Sequence, residues 1–164
     1  MAAIAHIEHV AYRSHLAEET LKVWRLSFQR ALGLPEHNDA EDFSHHLRFL
    51  QQIPPANITL ALNSNTGAVV GLLVQADEEI EQLYIHPSYQ GMGIGFEFMQ
   101  LAKRNSPLCL RLYTFAANTQ AQAFYQRQGF VEIDRGQASA NDNPWASDPA
   151  QLKDIRYQWL AENA

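Results

Sequence analysis

A chain of 164 residues, 46% apolar and 18% charged, is long enough to bury one hydrophobic core and short for two independent ones. A formal net charge of -6, with only 12 Lys and Arg spread along the chain, excludes the basic stripe that a nucleic-acid backbone requires. No apolar run reaches the length of a membrane span, the first ten residues lack the regions of a secretion signal, and the single Cys109 cannot close an intrachain disulfide, so one cytoplasmic domain over residues 1–164 is expected.

Residues 4–12 read as a first strand, after which the period changes. Leu21, Trp24, Phe28 and Leu32 recur at helical spacing, which predicts a helix over 18–32 with a core-facing stripe, closed by Gly33. A second helix fits 39–53, with Phe43, Leu47 and Leu50 on one side, until Pro54 and Pro55 interrupt it. Apolar runs at 58–62, 68–75 and 80–85, separated by turn residues, predict an antiparallel meander.

Pro87 ends the meander. A glycine-rich turn then leads into a helix carrying Phe96, Met99, Leu101 and Ala102, which stops before Pro107. A strand over 108–115, a helix over 119–128 closed by Gly129, and a strand over 130–133 follow. The polar stretch 136–153 is expected to be a long loop, and 154–160 alternates as a last strand. The order indicates an α+β fold, an α/β sandwich on a mixed, largely antiparallel sheet of about seven strands.

Gln90-Gly91-Met92-Gly93-Ile94-Gly95, set between a strand and a helix, can turn backbone N–H groups toward an anion at the positive end of that helix. A tight strand-to-helix connection uses the same glycines, so both readings stand on this segment alone. Gly95-Phe96-Glu97 lacks the Gly-Lys-Ser/Thr ending of a Walker loop, and Gly95 follows Gly93 too closely for a dinucleotide turn. His6, His9 and Asp39 lack metal-ligand spacing, and no metal is expected.

With Leu83-Tyr84-Ile85-His86-Pro87 ahead of that turn, the chain resembles the GNAT superfamily of N-acetyltransferases, whose signature is Gln/Arg-x-x-Gly-x-Gly/Ala after an apolar strand. Asn118, Ala121, Ala123-Phe124-Tyr125 and Gly129-Phe130 resemble the family's second block, and Asp154 to Trp159 its closing strand. The resemblance implies a sheet with helices on both faces and acetyl transfer from acetyl-CoA, with CoA as product, to a primary amine in a ternary complex. It implies that Gln90, Gly91, Met92, Gly93, Ile94, Gly95 and Phe96 surround the diphosphate. It likewise implies that backbone groups of Leu83, Tyr84 and Ile85 meet the thioester and pantetheine, and that Asn118 bonds the pantetheine arm.

By the same resemblance Tyr125 stands near sulfur as general acid; as a helix aromatic it could equally pack on the sheet beside Phe124. Alternation puts Glu81 on the side of Leu83 and Ile85, where it could serve as general base or remain an exposed strand-end carboxylate. His45 and His46 could face the acceptor or solvent. The N-terminal-acetylating branch of the family carries a Glu where this chain has Tyr113. The acceptor is a small amine or a protein amino group; an acyl-CoA sensor without turnover, a longer acyl donor, and a homodimer through edge strands stay open.

Overall fold

The computed structural model describes residues 6–35 and 40–162, the side chains of 40–43 and 45 excepted. The predicted starts at Ile4 and Asp39 and the side chains of Phe43 and His45 therefore lie outside the described residues. In chain order the elements are β1 (Ile7–Ala11), α1 (Ala17–Ala31), α2 (Ala40–Gln52), β2 (Ile58–Asn63), β3 (Val69–Ala76) and β4 (Glu79–Ile85). Then come α3 (Ile94–Asn105), β5 (Cys109–Phe115), α4 (Thr119–Arg127), β6 (Val131–Gln137) and β7 (Lys153–Leu160).

The helix α1 forms where Glu18 and Glu19 meet the positive end of the helix and Arg30 the negative end, and it ends at Gly33 in the left-handed region. Its buried stripe, Leu21, Trp24 and Phe28, packs with Leu50 of α2 on Leu60, Leu72 and Val74 of the sheet. On the opposite face Ile94, Phe98 and Met99 of α3 and Tyr125 of α4 pack on Leu73, Leu110, Leu112 and Ile155. Each large apolar side chain so buried contributes about 1.5–3 kcal/mol, which fixes the helices as two layers around one sheet.

The seven strands run in the order β1-β2-β3-β4-β5-β7-β6. β2 to β4 form the expected antiparallel meander, and β1 pairs antiparallel with β2 at its outer edge. The strand β6 is longer than the sequence suggests: it reaches Gln137 because β7 offers it partners as far as Lys153. The remainder of the predicted loop contains a short turn, Pro149–Leu152, held by a reciprocal cap between Asp148 and Gln151.

One join differs from the rest. β4 and β5 are parallel and pair at Glu79 with Arg111 and Ile80 with Leu112, and no further. That end is reinforced by Glu78, which accepts from the Arg111 side chain at 3.1 Å and backbone at 2.8 Å, and by Glu79, which takes both guanidinium nitrogens of Arg156 on β7. Past Ile80 the two strands part, opening a seam through the middle of the sheet.

Candidate active site

The seam opens into a cleft of about 840 Å³ that reaches from the glycine turn on one face to α1 and α2 on the other. Of the residues predicted from sequence, Tyr125, Glu81, Leu83, Tyr84, Ile85, Gln90, Gly91, Gly93, Ile94, Gly95, Phe96 and Asn118 all line it. Met92 does not: its side chain is half exposed on the outside of the turn.

The turn is built from the corner at His86 and Pro87. The His86 Nδ1 accepts from the Ser88 N–H at 3.0 Å, and burial, followed by the Arg30 charge, holds the imidazole below its usual pKa. Tyr89 Oη accepts from the Asn63 amide at 2.9 Å, fastening the turn to β2. The Gln90 side chain donates to the Ile85 carbonyl at 3.3 Å and accepts from Gln120 at 3.1 Å, so its amide braces the turn rather than standing free for a ligand.

Gly93 lies at φ 85° as the residue before α3, a conformation costly for any side chain. A Cβ placed there would meet no protein atom within 4 Å and would project into open space, whereas one on Gly95 would come 3.3 Å from Phe124. The first glycine therefore shapes the cradle and the second lets α3 approach α4. The N–H groups of the first turn of α3, which have no partner within the helix, lie beside this open space.

Across the seam, Tyr125 is buried against Phe124, Phe130 and Tyr157, with ring centroids 5.4, 5.7 and 6.3 Å away. The packing expected of a helix aromatic is present, and the same residue also lines the cleft. Among the described residues its hydroxyl has no protein partner, yet it is not a sealed, unsatisfied atom, so it opens to the cleft. Burial pushes the Tyr125 phenol up, and Tyr84 is raised likewise, by burial first and by the neighbouring Tyr125 second. The Asn118 side-chain oxygen caps α4 by accepting from the Ala121 N–H at 3.1 Å, leaving its NH2 as the part able to meet a ligand.

Glu81 departs from the expected alternation. The pairing of β3 with β4 skips a residue between Val74–Gln82 and Gln75–Ile80, so Glu81 is the extra residue of a bulge. Ile80, and not Glu81, shares the packed face of Leu83 and Ile85. The exposed Glu81 also borders a shallow depression with Phe49 of α2, Ile53 just after that helix and Tyr113 of β5, on the side of the sheet away from the turn.

That second side brings together residues the sequence reading left without a role, and His46, which it weighed as facing the acceptor. Ser27 of α1 donates to the Ile85 carbonyl at 3.1 Å, tying α1 to the end of β4. Phe115, Trp145 and Asp154 also line the cleft, and burial, followed by the charge of Asp134, raises the Asp154 carboxyl above its usual range. His46 is half-buried at the cleft, edge-on to Trp24 at 5.7 Å. Tyr113 is exposed at the rim with the Arg156 guanidinium 4.3 Å over its ring. On the turn side Arg127 stands at the end of α4. No local motif marks any of these; the fold collects them.

Residues 55–132 match the sequence profile of the Acetyltransferase (GNAT) domain. Over that stretch, a little under half of the chain, the match is to the GNAT family. Its fold is similar to that of apo YjaB from Escherichia coli, at 20% identity and a TM-score of 0.72 over 95% of this chain and 99% of that one. An acetyltransferase from Thermus thermophilus gives 19% identity and 0.67 over 96% and 98%. The PaiA N-acetyltransferase from Thermoplasma acidophilum, solved in complex with coenzyme A, gives 18% and 0.63 over 94% and 99%. At these identities the likeness is one of GNAT fold. No curated protein matches the chain in sequence. Among the described residues no helix is long and apolar enough to cross a membrane, and no cluster of His, Cys, Asp and Glu is arranged to hold a metal.

Proposed function

We propose that this GNAT domain transfers an acetyl group from acetyl-CoA to a primary amine by direct attack in a ternary complex. The observation that carries the reading is the single cleft that joins the glycine turn, the parted strands and the α1 side without interruption. A donor can enter from one face of the sheet and an acceptor from the other, meeting in the seam.

The residues present suit acetyl-CoA. A glycine cradle with open space before it, the first turn of α3 and the Arg127 guanidinium offer donors and positive charge to a diphosphate. The Asn118 NH2 and the edge of β4 from Leu83 to Ile85 that β5 leaves unpaired offer partners for the amides of a pantetheine arm, the Ile85 carbonyl excepted, since it already accepts from Ser27 and Gln90. When bound, acetyl-CoA supplies a thioester whose acyl carbon forms a bond to the amine nitrogen as its bond to sulfur breaks.

The chain's part is to place and protonate. Backbone donors of β4 next to the bulge stabilise the charge growing on a carbonyl oxygen held in the seam. The Tyr125 hydroxyl, kept protonated by burial, donates to the departing sulfur. Glu81 and Asp154, on the acceptor side, accept the proton the amine gives up, directly or through water.

Thiol release from acetyl-CoA, measured with and without a panel of amines, tests the reading. Amine-dependent release with an acetylated product is expected. Tight CoA binding with no amine-dependent release would make the domain an acyl-CoA sensor, and a larger thermal shift with succinyl- or propionyl-CoA than with acetyl-CoA would assign it another donor.

A further inference from the structure

The acceptor side of the cleft is an aromatic chamber. Phe28 sits at its centre, edge-on to Trp145 at 5.2 Å, Tyr84 at 6.3 Å and Phe115 at 6.3 Å. Phe115 and Trp145 meet each other at 5.3 Å, and Trp24 extends the wall toward Phe49 at 6.1 Å. These rings come from α1, α2, β4, β5 and the connection before β7, and all six line the cleft. Trp24 and Phe28 are the buried core beneath this wall, and the rings packed against them stand partly open to the cleft. Phe115, Trp145 and Tyr84 are only half-buried, and Phe49 is 38% exposed.

The ionised side chains that line this wall are carboxylates, with the Arg156 guanidinium set back over Tyr113 at the rim. Glu81, Asp142 and Asp154 line the cleft on this side, and no lysine lines it among the described residues. Arg127, the guanidinium that does, belongs to α4 on the turn side. Aromatic faces and carboxylates together attract an organic cation with an apolar body. Trp145 is fixed in its pose by donating to Asn143 at 3.1 Å, so the ring is presented preformed.

Resting on the acetyl-transfer reading, we infer that the acceptor is an arylalkylamine: a primary amine joined by a short alkyl chain to an aromatic ring. The ring packs edge-to-face into the wall of Phe28, Phe115 and Trp145, excluding water. The ammonium is drawn in by the carboxylates and loses its proton at the seam, where the amine nitrogen takes the acetyl group. An aliphatic polyamine satisfies the carboxylates but leaves the rings uncovered. A peptide brings backbone amides that this wall offers few partners.

The test compares 2-phenylethylamine and tryptamine with ethanolamine, spermidine and a short peptide, in thiol-release assays on the full chain. The aryl amines should show kcat/KM at least tenfold above the others. Trp145→Ala should raise KM for 2-phenylethylamine at least tenfold while the Kd for CoA, by calorimetry, stays within twofold. Trp145→Phe should recover most of the loss, which a fold defect would not allow. Equal or better kcat/KM for spermidine, ethanolamine or the peptide would overturn the inference and leave acetyl transfer standing. CoA binding without release by any amine would overturn both.

Discussion

On the wall formed by the glycine turn and α3, the groups aimed into the cleft are largely backbone; on the wall formed by α1, β5 and the connection before β7, they are rings and carboxylates. The first wall is made within one short stretch of chain, from His86 to Phe96. The second draws on five segments, from Trp24 of α1 to Trp145 before β7, spread over about 120 residues. A common ligand portion can be held by peptide groups that every chain possesses, whereas a particular acceptor has to be told from others by side chains. The two walls can therefore change independently, and experiments should be able to injure one without the other.

The largest separation is expected from Gly93→Val. A branched side chain at φ 85° is strained and projects into the cradle, so the Kd for CoA should rise by about 100-fold or more in calorimetry, on the order of 3 kcal/mol. Thermal melting of the ligand-free variant should fall far less than that affinity loss implies. Unchanged CoA affinity would show that the cradle is misplaced.

Next comes Tyr125→Phe, which keeps the packed ring and removes the hydroxyl. Turnover should drop about 10- to 100-fold with CoA affinity within about twofold, since the lost group acts on the reaction and not on the diphosphate. The sign of the pH dependence follows from burial: a phenol raised above its ordinary value of 10.0 remains protonated as pH rises, so turnover should show no alkaline loss up to about pH 9. An alkaline limb near neutrality that disappears in Tyr125→Phe would contradict the assignment.

Smaller again is Arg127→Gln. An exposed guanidinium near a diphosphate should be worth about a threefold change in the Kd for CoA, fading at high salt, with KM for the amine unaltered. A larger effect on the amine than on CoA would mean that the walls are not separable there. Met92→Ala, outside the cleft, should leave both ligands within about twofold and serves as the control inside the turn.

The same contrast explains what could be read from the sequence. Helix and strand periods, glycine stops and prolines located each element to within a few residues, because they report local backbone preference. The glycine turn was legible for the same reason: its chemistry is written in consecutive residues. Glu81 was placed on the wrong face because a one-residue bulge in β4 breaks alternation without leaving a glycine or proline to announce it. The role of the Gln90 amide as a brace depends on Gln120, thirty residues away, and could not be read from the turn alone. Trp145 lay in a stretch that looked like an open loop; it becomes a wall only when that connection folds back over Phe28 and Phe115.

With ladder bonds at only one end of the parallel join, the sheet is mechanically two plates, β1 to β4 and β5 to β7, sharing a short laced edge. The Glu79–Arg156 pair fastens that edge across β5, much as a rivet near the pivot of a pair of shears. Its position means that a small loosening at the rivet is magnified at the tips, where Tyr84, Tyr125 and the end of β4 stand. The parting of the strands thus begins beside a charge pair that lies away from the wide end of the cleft.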